Sequence, residues 1–231
     1  MRRVIAPGLV LTVAMILLCT QIASAVRRNV ASVLLLQAQG ERRSVPQEAL
    51  RWLDNEDSCR GHWLRGWARN ALGDGAGRDA EWEQLLACDP ASVVLVEAYL
   101  PDDWQWAQRA LVLAPQAAES WFWLARVNEG DNPEEAIRLY QRGLALNPRD
   151  TPRWNSLGFL LGRSDPDAAF AAFVESCSRG GKGCRWAGAI AEQRGDLLLA
   201  VHFYRRDPSP DVHRWADRLE EELRRVGKEN P

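Results

Sequence analysis

Apolar residues recur along most of this chain at intervals of three and four, the pattern of amphipathic helices with one buried face. The last such stripe, Trp215, Leu219, Leu223 and Val226, lies opposite Glu220, Glu221, Arg224 and Arg225. It predicts a helix over 211–226 with Asp211 as its N-cap. Asn-Pro, Asp-Pro and Ala-Pro steps at Pro90, Pro115 and Pro148 end helical runs. The Gly-Asp pairs at 73–74, 130–131 and 195–196 mark turns. No long alternation of Val, Ile or Thr is present, and Asp74-Gly75 follows a helical run rather than joining two strand-like ones. The pattern therefore predicts an all-α chain. One segment is not amphipathic. After Met1-Arg2-Arg3, residues 4–26 carry no charge, and as a helix they would span about 35 Å, against about 30 Å for a bilayer core.

The helices come in a repeating frame. Pro115 and Pro148 are 33 residues apart, and Trp121 and Trp154 each follow the preceding proline by six. Between the prolines the order is Trp121, Leu124, Ala125, the Gly130-Asp131 turn, then Ala136, Tyr140, Gly143 and Pro148. The next unit has Trp154, Leu157, Gly158, Leu161, Ala169 and Phe173, and a third has Gly188, Ala191, Gly195-Asp196, Ala200 and Tyr204, with Trp186 out of register. Upstream, Gly66, Gly73-Asp74, Trp82, Leu85 and Pro90 keep the period, with Arg78 where a small residue is expected. This order resembles the tetratricopeptide repeat over roughly residues 58–206, most closely over 116–176. Small residues such as Ala136, Gly143 and Gly158 suit the points where two helices cross, and the aromatic residues fill the space around them.

The resemblance implies a right-handed α-solenoid of about five helix-turn-helix pairs, with an N-terminal hydrophobic helix and a C-terminal capping helix. Residues 27–57 form a degenerate first pair, 58–210 the array, and 211–231 the cap and tail. The unit between Pro90 and Pro115 is only 25 residues long, so its first helix is cut to about 92–99 and Pro101 starts the second. Gly75-Ala76-Gly77 and Gly180–Gly183 are expected in inter-helix turns. In this family the first helices line a groove that holds protein segments, and matching by position points to Trp63, Trp67, Phe122, Arg126, Asn155, Phe159 and Arg185. Trp63 and Trp67 share a helix face, and packing onto the degenerate opening pair is the competing reading for both. The Lys- and Asn-rich clamp of the members that bind chaperone tails is missing.

Residues 1–26 admit two readings, a transmembrane anchor or a signal peptide. Ala23-Ser24-Ala25 has the small-x-small form of a cleavage site. Against cleavage, Arg27 and Arg28 would follow the cut directly. The stripe Ile22, Val26, Val30, Leu34 also runs through the site, which favours the anchor. Ile16-Leu17-Leu18 ahead of Cys19 does not match a lipoprotein signal. In either reading the rest of the chain is expected on the exoplasmic or periplasmic side.

The five cysteines bear on the compartment. Once the repeat frame is imposed, Cys59 precedes the first helix of the unit that Cys88 ends, and Cys177 and Cys184 flank the turn Gly180-Gly181-Lys182-Gly183. Two disulfides, Cys59–Cys88 and Cys177–Cys184, are expected in an oxidising compartment, with four buried thiols as the alternative. Cys59-Arg60-Gly61-His62 lacks the second cysteine of a haem attachment motif and only three His exist, so no metal and no cofactor is expected.

A formal charge of -2 gives no polyanion footprint, so no nucleic-acid partner is expected. No phosphate-cradling Gly loop, nucleophile elbow or His-Glu-x-x-His is present, so neither catalysis nor a small-molecule substrate is expected. These features point to a membrane-tethered repeat scaffold, held through residues 4–26, that binds protein partners in an envelope complex. A small accessory subunit held in a membrane enzyme by its N-terminal helix and a cleaved soluble adaptor are the alternatives.

Overall fold

A computed structural model of the chain describes residues 18, 20–32 and 44–229, the last four of these, with Ser44 and Val45, by backbone alone. Most of the uncharged segment 4–26, Cys19 included, lies outside the described residues. Residues 20–26 belong to a helix that continues to residue 32 (α1). No helix among the described residues is long and apolar enough to cross a membrane. All regular structure among these residues is helical. The chain falls into two compact units, Met1–Ser92 and Val93–Pro231, whose boundary lies inside the 58–210 span.

The first unit holds α1, α2 (Ser44–Trp52), α3 (Cys59–Ala71), α4 (Gly75–Cys88) and a 3-10 turn at Pro90–Ser92. Helices α3 and α4 form an antiparallel pair. Ser58 caps α3 by accepting from Gly61 N–H, and Asp74 caps α4 by accepting from Gly77 N–H, each satisfying an orphan donor of a first turn. Gly75-Ala76-Gly77 is thus the first turn of α4 rather than the connection before it. Gly66 of α3 faces the indole of the fully buried Trp82, leaving no room for a β-carbon. Arg78 is accommodated because its guanidinium lies 5.4 Å over the ring of that Trp82 and bonds Asn70 and Asp79. On the other side of α3, Ala31, Ala49, Leu53, Leu64 and Ala68 form a separate cluster, with Trp63 and Trp67 packed against it.

The second unit runs α5 (Val93–Tyr99), α6 (Trp104–Leu113), α7 (Ala118–Asn128), α8 (Pro133–Leu146), α9 (Thr151–Leu161), α10 (Pro166–Ser178), α11 (Gly183–Gln193), α12 (Leu197–Arg206) and α13 (Pro210–Glu229). The pairs α7–α8, α9–α10 and α11–α12 follow the repeat frame. Asp103, Asn132, Asp150, Asp165 and Asp196 each cap the helix that follows, and Pro133 and Pro166 open theirs, where no backbone donor is needed. The second helix of the short unit therefore begins at Trp104, not Pro101, because Asp103 provides the cap. Trp121 Nε1 donates to the Pro115 carbonyl (2.8 Å) and Trp154 Nε1 to that of Pro148 (2.9 Å), which explains the six-residue spacing.

The close approach seen at Gly66 recurs. Gly158 meets the ring of Phe173, Gly188 meets Tyr204, and Gly143 meets Phe122, in the last case with the glycine on the second helix of the pair. Leu124, Ala136, Leu157, Ala169 and Ala200 are buried beside these contacts. Trp123, which the repeat pattern does not single out, is fully buried and donates to the Pro101 carbonyl at 2.9 Å.

Helix α13 starts one residue before Asp211, so Asp211 lies in its first turn and is not its N-cap. Val212, Ala216 and Leu219 make the buried face, while Trp215 lies at the edge, its ring 5.3 Å from that of Tyr204. Both expected disulfides are present, with Cα–Cα separations of 5.8 Å for Cys59–Cys88 and 4.5 Å for Cys177–Cys184.

A β-carbon on Gly188 would lie 2.5 Å from two atoms of the Tyr204 ring, whereas one on Gly130 meets nothing within 4 Å. Gly188→Ala is predicted to lower the free energy of unfolding by about 1–3 kcal/mol, and Gly130→Ala to leave it unchanged or slightly higher, by denaturant titration. Non-reducing peptide mapping is predicted to recover both disulfides. Loss of Cys59–Cys88, which closes the longer loop, costs about 3 kcal/mol.

Candidate protein-binding hollow

Two aromatics placed beside, rather than on, the core stripe of a first helix remain partly exposed. Phe159 of α9, next to the close-packed Gly158, is 50% exposed, and Trp186 of α11 is 39% exposed. Both side chains flank one hollow of about 520 Å³ between α9, α10 and α11. Their rings meet edge to face at 4.9 Å. Phe173 lies beneath, 5.2 Å from Phe159 and 6.3 Å from Trp186. Gly158, Gly162 and Ala169 keep the floor shallow, and Ile190 extends the apolar wall.

On the rim, Arg194 donates to Asp167 (2.6 Å) and to the Pro166 carbonyl (3.3 Å), with its guanidinium 5.2 Å over Phe170. That cation is balanced, so the hollow offers apolar surface and aromatic edges. Arg194 is the one titratable residue of its lining, and Gln193 beside it supplies an amide. The Cys177–Cys184 disulfide lies behind it, Cys177 one turn beyond Phe173 and Cys184 two residues before Trp186. Among the described residues no group of three or more His, Cys, Asp or Glu could hold a metal ion.

Of the seven groove residues the repeat frame suggests, Phe159 alone lines this hollow. Phe122 is 1% exposed, with its ring against Gly143 and the Arg153 guanidinium 5.4 Å over it. It is a core residue, because this pair carries its glycine on the second helix and turns the first helix's aromatic inward. Arg126 is spent on structure, paired with Glu97 and Asp102 at 3.2 Å each and donating to the Pro101 carbonyl. Arg185 donates to buried Asp207 through Nη2 (3.1 Å) and Nε (3.3 Å), and to Ser209 Oγ (2.7 Å). Asn155 is half-buried in α9, away from the hollow. Trp63 stacks on Trp82 at 5.8 Å and, with Trp67, packs partly buried on the cluster of the opening helices.

The residues missed are Trp186, Ile190 and Arg194. Their signal was present: Trp186 breaks the repeat register, and a tryptophan off the core stripe of a helix is turned outward.

No protein-family profile matches the chain, and no curated protein does. Solved structures similar to it include crystal structures of MamA. One has TM-score 0.48 and 22% identity, covering 72% of this chain and 94% of that one. A second has TM-score 0.46 and 23% identity, covering 69% and 96%. A third, MamA from residue 41 onward from Desulfovibrio magneticus RS-1, has TM-score 0.43 and 21% identity, covering 68% and 94%.

The helices behind the hollow are fixed by the Asp207 cluster. Its carboxylate, fully buried, accepts from Arg185 and from Ser209 N–H (2.9 Å), tying the start of α11 to the α12–α13 connection. Burial pushes the Asp207 carboxyl up, but the Arg185 and Ser209 hydrogen bonds outweigh it and hold it below its ordinary 3.8. A group depressed in this way stabilises the fold fully above its ordinary range and loses that contribution as pH falls through the folded value. Acid unfolding of the wild type is therefore predicted to steepen below about pH 4. Asp207→Asn is predicted to lower stability at pH 7 and to flatten that acid limb, by thermal unfolding across pH.

Proposed function

We propose that the second unit is a docking module for a protein partner, and that an extended or helical segment of that partner seats apolar side chains in the hollow between α9, α10 and α11. One observation carries this reading. Two large aromatic side chains, Phe159 and Trp186, stand exposed and edge to face over a hollow whose rim charge is already paired. Exposed aromatic groups beside a pocket are the usual anchors of protein interfaces. A repeat built of helix pairs presents such a surface rigidly, so little ordering entropy opposes binding.

In this proposal residues 4–26 tether the module to a membrane, and the module works on the exoplasmic or periplasmic side. The uncharged run supports the tether, and two disulfides support an oxidising compartment. The module then acts as a scaffold in an envelope assembly, contributing binding rather than chemistry.

Site-specific photo-crosslinking in native membranes tests the reading. A photoreactive residue at position 159 is predicted to capture a defined partner, and one at position 198, where Leu198 is 72% exposed on α12, is not. Phe159→Ala with Trp186→Ala is predicted to weaken binding of that partner at least about 10-fold while leaving thermal unfolding within a few degrees. Equal crosslinking at both positions would end the proposal.

A further inference from the structure

The segment that reads as an export leader contributes side chains to the folded first unit. Ser24 is the central residue of the small-x-small site, and its hydroxyl donates to Glu56 Oε2 at 2.6 Å. One turn on, Arg28 Nη1 donates to Glu56 Oε1 at 2.8 Å and to Ser24 Oγ at 2.5 Å. From the other side Ser58, the cap of α3, donates to the same Oε1 at 2.7 Å. Glu56 is 5% exposed, and Arg65 Nη1 holds its backbone carbonyl at 2.5 Å. A buried carboxylate requires such partners, and two of these three side chains come from α1. Apolar contact agrees with the polar one, since Ala31, on the same helix, is completely buried against Ala49, Leu53, Leu64 and Ala68.

A disposable leader has no partners in the mature body. We infer that the chain is not cut after Ala25, and that Ser24 and Arg28 remain as a plug in a socket whose base is Glu56. A cut there would remove one donor from a buried carboxylate and leave α1 starting at Val26, two residues before Arg28. Helix α1 is continuous through Ser24, Ala25 and Val26, so the bond after Ala25 lies inside a helix. The inference rests on the socket, not on the hollow of the second unit.

The test uses the full-length chain, expressed with an untouched N-terminus in a host that has a secretory signal peptidase. Intact mass and N-terminal sequencing are predicted to give a product that includes Ser24, and a product beginning at Val26 overturns the inference. Hydrogen exchange on the same material adds a second readout. Amides of residues 24–28 are predicted to be protected in the wild type and to exchange at least tenfold faster in Glu56→Gln, while α7–α10 are unchanged. Exchange of those wild-type amides at the rate of an unstructured peptide also overturns it. Membrane fractionation separates this claim from the tether: an uncut chain recovered entirely in the soluble fraction ends the tether reading and leaves the socket standing.

Discussion

Close approach between the two helices of four pairs, α3–α4, α7–α8, α9–α10 and α11–α12, is the constraint from which the rest of this structure follows. At Gly66, Gly143, Gly158 and Gly188 the backbone of one helix lies directly under an aromatic ring of its partner, and a β-carbon would occupy the ring's place. With the helices that near, ridges on one fill grooves on the other, and the aromatic group covers the crossing point. The other regularities serve this contact. Asp and Asn caps start the second helices where the turn must end, and Trp121 and Trp154 fasten each pair to the proline before it.

The same constraint creates the hollow. Once Phe173 is committed to Gly158, the residue beside that glycine cannot also turn inward, and Phe159 is left on the surface. Trp186 joins it because the third pair places its largest aromatic off the core stripe. Charged side chains do a different job. Arg126 reaches from α7 to Glu97, Asp102 and the Pro101 carbonyl, and Arg185 reaches from α11 to Asp207 and Ser209 in the α12–α13 connection, so each cation is paired within the structure.

What could be read from the chain alone was the part governed by local spacing. Helix pairs, prolines and small residues at crossings follow from residue identity within one unit, and both cysteine pairings followed from that frame. The misreadings came from contacts between elements distant in sequence. Phe122 and Phe159 both lie on first helices, at repeat positions one helical turn apart, yet the glycine of one pair lies on α8 and that of the other on α9, so one ring is core and the other surface. Arg126 and Arg185 resemble binding residues until Glu97 and Asp207 are brought beside them. Pro101 and Asp211 resembled helix starts, but Asp103 and Pro210 were better suited to the geometry of those ends. Glu56 gave no signal, since two of its three side-chain donors lie 28 and 32 residues away.

The Cys59–Cys88 bond has a mechanical consequence whenever the chain is pulled from its N-terminal end. Tension entering along the chain through α1 and α2 reaches Cys59 and crosses the sulfur bridge to Cys88. The 28 residues between them are a closed side-loop that bears no load. A pulled molecule therefore cannot pay out α3 and α4 as slack. Its extensible length is shorter by that hairpin, and the hairpin keeps its shape under forces that unravel the helices on either side.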